Sequence, residues 1–286
     1  MKKYKVFIIY SICILTLFVF AILYIFVIPQ NGTKVVTTTT SAETGTVTTT
    51  DTSYEDDNIK ITITEKRVDD TNVYIADVQI KNIDYLKTAF ADNTYGLNYK
   101  ETTSDIADSV NAILAINGDF YGFRSKGFVV RNGKLYRSTS NGNQALLIKT
   151  DGSFEIVDES TTDLTSLSDI YQAFSFGPAL VTNSNISVNT NTEVSQSMTS
   201  NPRTAIGIID NLHYVFVVSD GRTSSNAGLT LYELAGVMKD LGCTTAYNLD
   251  GGGSTTMYFN GKVINNPTSG NSSGERKVSD IIYVGY

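Results

Sequence analysis

From Val6 to Ile28 the chain is a run of Ile, Leu, Phe, Val and other uncharged residues with no charged side chain. As a helix it would be roughly 34 Å long at about 1.5 Å per residue, close to the thickness of a bilayer core. A cleaved signal peptide has an apolar region of only about 7–15 residues and a small-residue cleavage site. Here the run is longer, and Pro29-Gln30-Asn31 follows it without such a site. The pattern predicts an uncleaved transmembrane anchor. Lys2, Lys3 and Lys5 stand before it, which predicts a cytoplasmic N-terminus and an extracytoplasmic C-terminal portion at the cell membrane. Next comes a threonine-rich stretch, TKVVTTTTSAETGTVTTTDTSYEDDN, too poor in apolar residues to fold alone. It is expected to be a linker that holds the following domain off the membrane. The expected organisation is a stub over 1–5, an anchor over 6–28, a linker over 29–58 and one domain over 59–286.

Beyond the linker the hydrophobic period becomes two. Ile59, Ile61 and Ile63 alternate with polar residues, as on a half-buried strand, and Val73 to Ile80 reads as a second strand. Ala112 to Ile116 is continuously apolar and predicts a central strand that delivers Asn117-Gly118-Asp119 at its end. Asn132-Gly133, Asp151-Gly152 and Asn260-Gly261 each lie between two apolar runs. These pairs supply the positive φ angles that tight hairpins need. Two segments keep a helical period. One begins near Thr103 and runs to Asn111, with Ile106, Ala107 and Val110 on one face. The other places Leu231, Leu234, Ala235, Met238 and Leu241 on a shared face, with Gly242 as its stop. Many hairpins and few helices predict an α+β domain built on a mixed, hairpin-rich β-sheet.

Composition narrows the function classes. The net charge of −7 opposes nucleic-acid binding, which needs a basic face. The single histidine, His213, follows a turn-like Asp210-Asn211 and reads as a surface residue. A His-rich zinc site cannot be built from it, and a Ser-His-Asp or Cys-His triad would depend on it alone. Cys243 is the only cysteine outside the apolar run and reads as a buried, inert thiol. No lysine follows the glycines as a P-loop requires, and no metal or other cofactor is called for.

Carboxylates, arginines and glycines remain. Asn248-Leu249-Asp250-Gly251-Gly252-Gly253-Ser254-Thr255 joins two strand-like runs. Three successive glycines permit positive φ and close approach of a ligand to backbone N–H groups. Asp250, Ser254 and Thr255 would share that space. A second apolar strand ends in Asp220-Gly221-Arg222, and Asn201-Pro202-Arg203 precedes a third. Arg203 and Arg222 have the planar fork that grips a phosphate at two points.

Seven segments then occur in order: NGDFYG at 117–122, FGPAL at 176–180, NPRTAIG at 201–207, SDGR at 219–222, GLTLYELA at 228–235, NLDGGGSTT at 248–256 and ERKVSD at 275–280. Together they resemble the phosphodiester glycosidase domain family, over roughly Val73 to Tyr286. That family includes the lysosomal uncovering enzyme and bacterial exported proteins labelled as exopolysaccharide-related. The resemblance implies a hydrolase that cleaves a sugar-1-phosphodiester linkage in cell-surface or exopolysaccharide glycan. The alternative is a non-catalytic surface protein that binds phosphorylated glycan. Phosphate is a good leaving group, so cationic stabilisation and a carboxylate near the anomeric carbon would suffice. The roles implied are phosphate binding for Arg203 and Arg222, and base or nucleophile for Asp250, with Asp220 as a second carboxylate. Asn117, Asp119, Ser254, Thr255, Arg276 and the Gly251, Gly252 and Gly253 amides would bind sugar hydroxyls or phosphate oxygens. Tyr121 would stack on a sugar face. The chain departs from many relatives at Asp119, where they carry glycine, so Asp119→Gly is expected to be tolerated.

Overall fold

The structure is a computed structural model that describes residues 2–36, 46–193, 200–270 and 272–286. Its alternating runs become strands whose apolar sides face a shared interior. Ile59–Val68 pairs with Thr71–Ile80 in continuous register from Ile59↔Ile80 to Val68↔Thr71. Asp69 and Asp70 turn that hairpin at φ of 43° and 55°. Thr71–Ile80 then pairs with His213–Ser219, and that strand with Arg203–Asp210. Thr245–Asn248, Ala179–Thr182 and Asn185–Ile186 continue this sheet, and Ser53–Glu55 and Thr48–Thr49 extend it at the other side, nine strands in all.

A second sheet orders Lys262–Val263, Met257–Phe259, Leu114–Asn117, Asp280–Val284 and Leu86–Phe90. A third orders Lys134–Arg137, Val129–Arg131, Ile170–Phe174, Gln144–Lys149 and Phe154–Asp158. All three sheets contribute to one buried cluster, which includes Ile61, Val78, Phe216, Tyr247, Ile116, Ile282, Leu146 and Phe174. The strand Leu114–Asn117 is buried along its whole length, as a central strand must be. The α+β, hairpin-rich reading describes this fold. The sheets are not mixed, however, because every strand pairing among the described residues is antiparallel. Each Asn-Gly turn returns the chain directly alongside itself. Asn132-Gly133 and Asn260-Gly261 have positive φ at both residues, as such turns demand.

Leu231–Asp240 covers the outer face of the large sheet with Leu231, Leu234, Ala235, Val237 and Met238. Thr230 and Glu233 form a reciprocal capping box at its start, and Gly242 takes φ of 85° just past its end. Thr103–Ser109 packs Ile106 and Ala107 against the second sheet. Cys243 is buried under the large sheet, and desolvation pushes its thiol up to about 12. His213 is half-buried and pairs with Asp77 at 3.0 Å.

The N-terminal helix runs Lys2–Phe26 and contains the span Phe7–Phe26, with a mean hydropathy of 2.7 and no part buried against the rest. It is long and apolar enough to cross a membrane. The residues after it do not behave as a free linker where they are described. Gln30–Lys34 pairs with Thr94–Leu97, and the Asn98 side-chain amide donates to the carbonyls of Ile25 and Ile28, at 3.0 and 3.1 Å. Thr48–Thr49 and Ser53–Glu55 are strands of the large sheet, so the folded part begins upstream of Ile59. Residues 37–45, the centre of the expected linker, lie outside the described residues.

Candidate active site

The central strands of two sheets end at the same place. Leu114–Asn117 brings Asn117 there, and Thr245–Asn248 leads into Leu249 and Asp250. Asn117 is fully buried and joins the two ends. Its Nδ2 donates to the Asp250 carbonyl at 2.7 Å, and its Oδ1 accepts from Thr204 Oγ1 at 2.8 Å. It acts as a brace for the Asp250 backbone, and no part of its side chain is left for a ligand.

After Asp250 the glycines turn the chain sharply. Gly252 has φ of 59°, a region that L side chains avoid, and a Cβ there would lie 2.8 Å from Arg222 Nη2. A Cβ at Gly251 would lie 2.7 Å from the Pro202 carbonyl. That carbonyl also takes the Gly252 N–H at 2.8 Å, so this amide is spent within the protein. The turn thus seats the loop under an arginine, and one of the three expected anion-binding amides is already occupied.

Asp250 is the chemical centre of the turn. Its Oδ2 accepts from Ser254 Oγ at 2.6 Å and from Arg276 Nη2 at 2.9 Å, and Arg276 Nε donates to Ser254 Oγ at 3.0 Å. Its Oδ1 takes no hydrogen bond from any described residue. The Asp250 side chain is 13% exposed and that of Arg276 is 41% exposed, so the group faces an opening. Burial raises the Asp250 pKa, and Arg276 and Ser254 partly offset this by stabilising the carboxylate. Arg222 is exposed, and its guanidinium lies over Gly252. Asn201 Oδ1 accepts from its Nε at 3.1 Å, and the chain holds φ of 61° at this residue.

The other expected residues are placed differently. Arg203 is buried, donates from Nε to the Leu229 carbonyl at 2.8 Å and pairs with Glu193 at 2.9 Å, which makes it a structural tie at this face. Asp220 is buried and accepts the Asn266 backbone and side-chain N–H groups at 2.8 and 2.9 Å. Thr255 is buried, and its carbonyl accepts from Asn265 at 3.1 Å. Tyr121 is only 2% exposed, stacked 5.4 Å from Tyr95 and edge-on to Phe90, so it cannot lie on a sugar face. Aromatic packing claimed a residue whose motif position had suggested a ligand.

Asp119 is also interior. Arg131 bridges it at 3.1 Å and Asp280 at 2.8 Å, with all three side chains out of solvent. Asp119 accepts the N–H groups of Tyr121 and Ser175 as well, at 3.1 and 2.9 Å. Burial pushes the Asp280 pKa well up, and the nearby carboxylates of Asp119 and Asp250 add to this against the pull of Arg131. Tolerance of Asp119→Gly does not follow from such a position.

Two groups were not singled out in the sequence: Arg124, close enough for its charge to act on Asp250, with its aromatic neighbours Phe120 and Phe176, and Glu193, the partner of Arg203. Both phenylalanines lie inside quoted motifs, NGDFYG and FGPAL, and Arg124 stands two residues past the first. Among the described residues no group of three or more His, Cys, Asp or Glu side chains gathers as a metal site would require.

An antiparallel β scaffold that presents a half-buried carboxylate, a serine and two arginines on a glycine turn defines the class of domain. The comparisons with known proteins give the family. A family model described as phosphodiester glycosidase matches residues 110–285, and the chain belongs to that family. It is 30% identical over 202 residues to the SPbeta prophage-derived uncharacterized protein YomE of Bacillus subtilis (strain 168), a match spanning 67% of this chain and 31% of that protein. It is 27% identical over 188 residues to the N-acetylglucosamine-1-phosphodiester alpha-N-acetylglucosaminidase of Mus musculus, spanning 59% of this chain and 36% of that enzyme. The chain therefore spans about a third of the length of each of these relatives. The fold matches the catalytic domain of the zebrafish enzyme of that name, solved in a form auto-inhibited by its pro-peptide. The TM-score is 0.64 at 18% identity, over 91% of this chain and 89% of that one.

Proposed function

We propose that the domain hydrolyses sugar-1-phosphodiester linkages in cell-surface or exopolysaccharide glycan, at Asp250, from a position outside the membrane on a single N-terminal anchor. One observation carries this reading: Asp250 has one oxygen held by Ser254 and Arg276 and the other left open, with no hydrogen bond from any described residue, on a glycine turn against which the exposed Arg222 lies. The open oxygen takes the anomeric side of the substrate, as base toward a water or as nucleophile. Arg222 and Arg276 take the charge that grows on the departing phosphate, the point at which fixed cations lower a barrier. Arg203, tied to Glu193, holds the wall behind them.

Family membership supports the reaction type, and the activity for which the mouse relative is named supports a sugar-1-phosphodiester substrate. The test is to incubate the full chain in detergent with a panel of sugar-1-phosphodiesters and to measure released reducing sugar. Release that disappears in Asp250→Asn supports the reading. Binding of phosphorylated glycan with no release from any member of the panel would instead make the domain a glycan-binding protein.

A further inference from the structure

The apolar helix is joined to the domain without a loose tether. Its span Phe7–Phe26 has 20 residues. At roughly 1.5 Å per residue that is about 30 Å, the thickness of a bilayer core, so the last turn lies at the core boundary. A helix end leaves backbone carbonyls unpaired, which is costly at that depth. The domain itself satisfies two of them: Asn98 Nδ2 donates to the carbonyls of Ile25 and Ile28 at 3.0 and 3.1 Å. Two residues past Ile28 the chain enters the ladder of Gln30–Lys34 with Thr94–Leu97. Tyr99 lies across that ladder, where a Cβ added at Gly32 or Gly96 would stand 2.2 or 2.8 Å from its side chain. The end of the helix and the base of the domain are therefore one packed unit.

The Asn98 N–H donates to the Gly122 carbonyl at 2.9 Å, which brings the loop 121–127 beside the helix end. Arg137 fixes that loop from behind, donating to the carbonyls of Tyr121, Arg124 and Gly127 at 3.2, 2.5 and 2.6 Å. Ser125 and Lys126 are left exposed, and Phe123 and Arg124 half-buried. The four segments gathered here, 29–34, 94–101, 120–127 and 136–140, hold five basic residues, Lys34, Lys100, Arg124, Lys126 and Arg137, against one acidic residue, Glu101. In the whole chain the acids outnumber the bases 29 to 22, so the charge of this face is set against that of the rest. Glu101 is itself engaged, accepting the Asp92 N–H at 2.6 Å. Tyr95, Tyr99, Phe123 and Tyr136 stand in the same segments. Basic side chains among aromatic rings suit the headgroup layer, where rings sit at the interface and cations meet anionic lipid. Of the anionic partners such a face could take, only a membrane is brought to it by the chain itself.

We propose that this face docks on the anionic headgroups of the leaflet from which the helix emerges, with Lys100 and Lys126 among its charged contacts. The domain is then held against the bilayer in one orientation. The proposal rests on the N-terminal helix crossing the membrane, as the functional reading holds.

The chain has no tryptophan, so single introduced tryptophans report depth. Full-length Phe20→Trp, Ser125→Trp and Asn211→Trp are reconstituted in vesicles of phosphatidylcholine alone or mixed with phosphatidylglycerol. The acyl chains carry bromine near their headgroup ends, and fluorescence quenching is measured. Phe20→Trp, inside the span, is quenched in both membranes. Ser125→Trp is quenched in the vesicles that contain phosphatidylglycerol. Asn211→Trp is not, because Asn211 follows the far end of Arg203–Asp210, about 23 Å from Arg203 at roughly 3.3 Å per residue. Changing Lys100→Gln and Lys126→Gln together, or raising the salt to shorten the range of charge attraction, lowers Ser125→Trp quenching by roughly twofold or more while thermal unfolding stays cooperative. Quenching at Phe20 without quenching at Ser125 overturns the docked face and leaves the anchor standing. Quenching at Ser125 that is equal in both membranes and indifferent to salt and to the lysines overturns the charged contact. Quenching at Asn211 as strong as at Ser125 overturns the fixed orientation. No quenching at Phe20 removes the anchor, and the docked face with it.

Discussion

The buried group Asp119–Arg131–Asp280 gives the sharpest stability test, because two lines of reasoning disagree about it. The family resemblance read from the sequence implies that Asp119→Gly is harmless. The structure predicts otherwise. Removing the carboxylate leaves Arg131 with Asp280 alone, and it orphans the N–H groups of Tyr121 and Ser175. Breaking one side of a buried ion pair costs about 3–5 kcal/mol, and each buried amide left without a partner costs about 1–3 kcal/mol. These losses overlap, since local relaxation serves both, so a loss of about 4 kcal/mol is expected. In a chain of this size that lowers Tm by roughly 8–16 °C, at about 2–4 °C per kcal/mol. Thermal unfolding of Asp119→Gly, followed by near-UV circular dichroism of the buried tyrosines, measures it. Arg131→Met in the same chain should restore part of the loss, because the orphaned cation is gone. It should also add a pH dependence. Asp280 already has a raised pKa, and without Arg131 it rises further, so the folded state favours the protonated acid. The double variant is therefore most stable at low pH and loses stability as pH climbs through that raised range. A Tm change under about 3 °C for Asp119→Gly, on the same stability scale, would refute the argument.

Three other outcomes test the site. Asp250→Asn should abolish turnover with Tm nearly unchanged; full activity in that variant would remove Asp250 from the chemistry. Arg276 holds down a carboxyl that burial raises, so the acid limb of the pH–rate profile should lie above the usual carboxylate range and move to still higher pH in Arg276→Gln. A limb that stays in place or moves down would show that another group titrates. Arg222→Lys should lower kcat/KM on a phosphodiester by roughly tenfold or more with little effect on Tm, whereas Arg203→Lys should mainly lower Tm, since Arg203 is buried against Glu193 and Leu229. The reverse pattern would exchange their roles.

Several features were legible because their causes are local. The charge-free run from Val6 fixes a long apolar helix, the Asn-Gly pairs fix hairpins whose dihedrals only such residues adopt readily, and Thr230, Glu233 and Gly242 mark the ends of one helix. The glycine turn stood out as a candidate site because three adjacent glycines have no use in an ordinary strand connection. Which side chains face that turn is a different kind of fact. Arg203 and Arg222 look alike in sequence, but pairing with Glu193 takes one out of solvent, while a positive φ and a glycine without a Cβ lay the other over the loop. Tyr121 and Asp119 share the NGDFYG motif with Asn117, and all three are used by interior partners brought in from elsewhere in the chain: Tyr95 for Tyr121, Arg131 for Asp119 and Asp250 for Asn117. The stretch at Thr48–Glu55 reads as too polar to fold, and alone it would be, but the unpaired edge of a neighbouring strand offers its backbone a ladder. Local sequence determined which elements form and where polar chemistry concentrates. Tertiary structure decided which of those polar groups were consumed as braces and which were left open, because burial and pairing depend on neighbours that only the folded chain brings together.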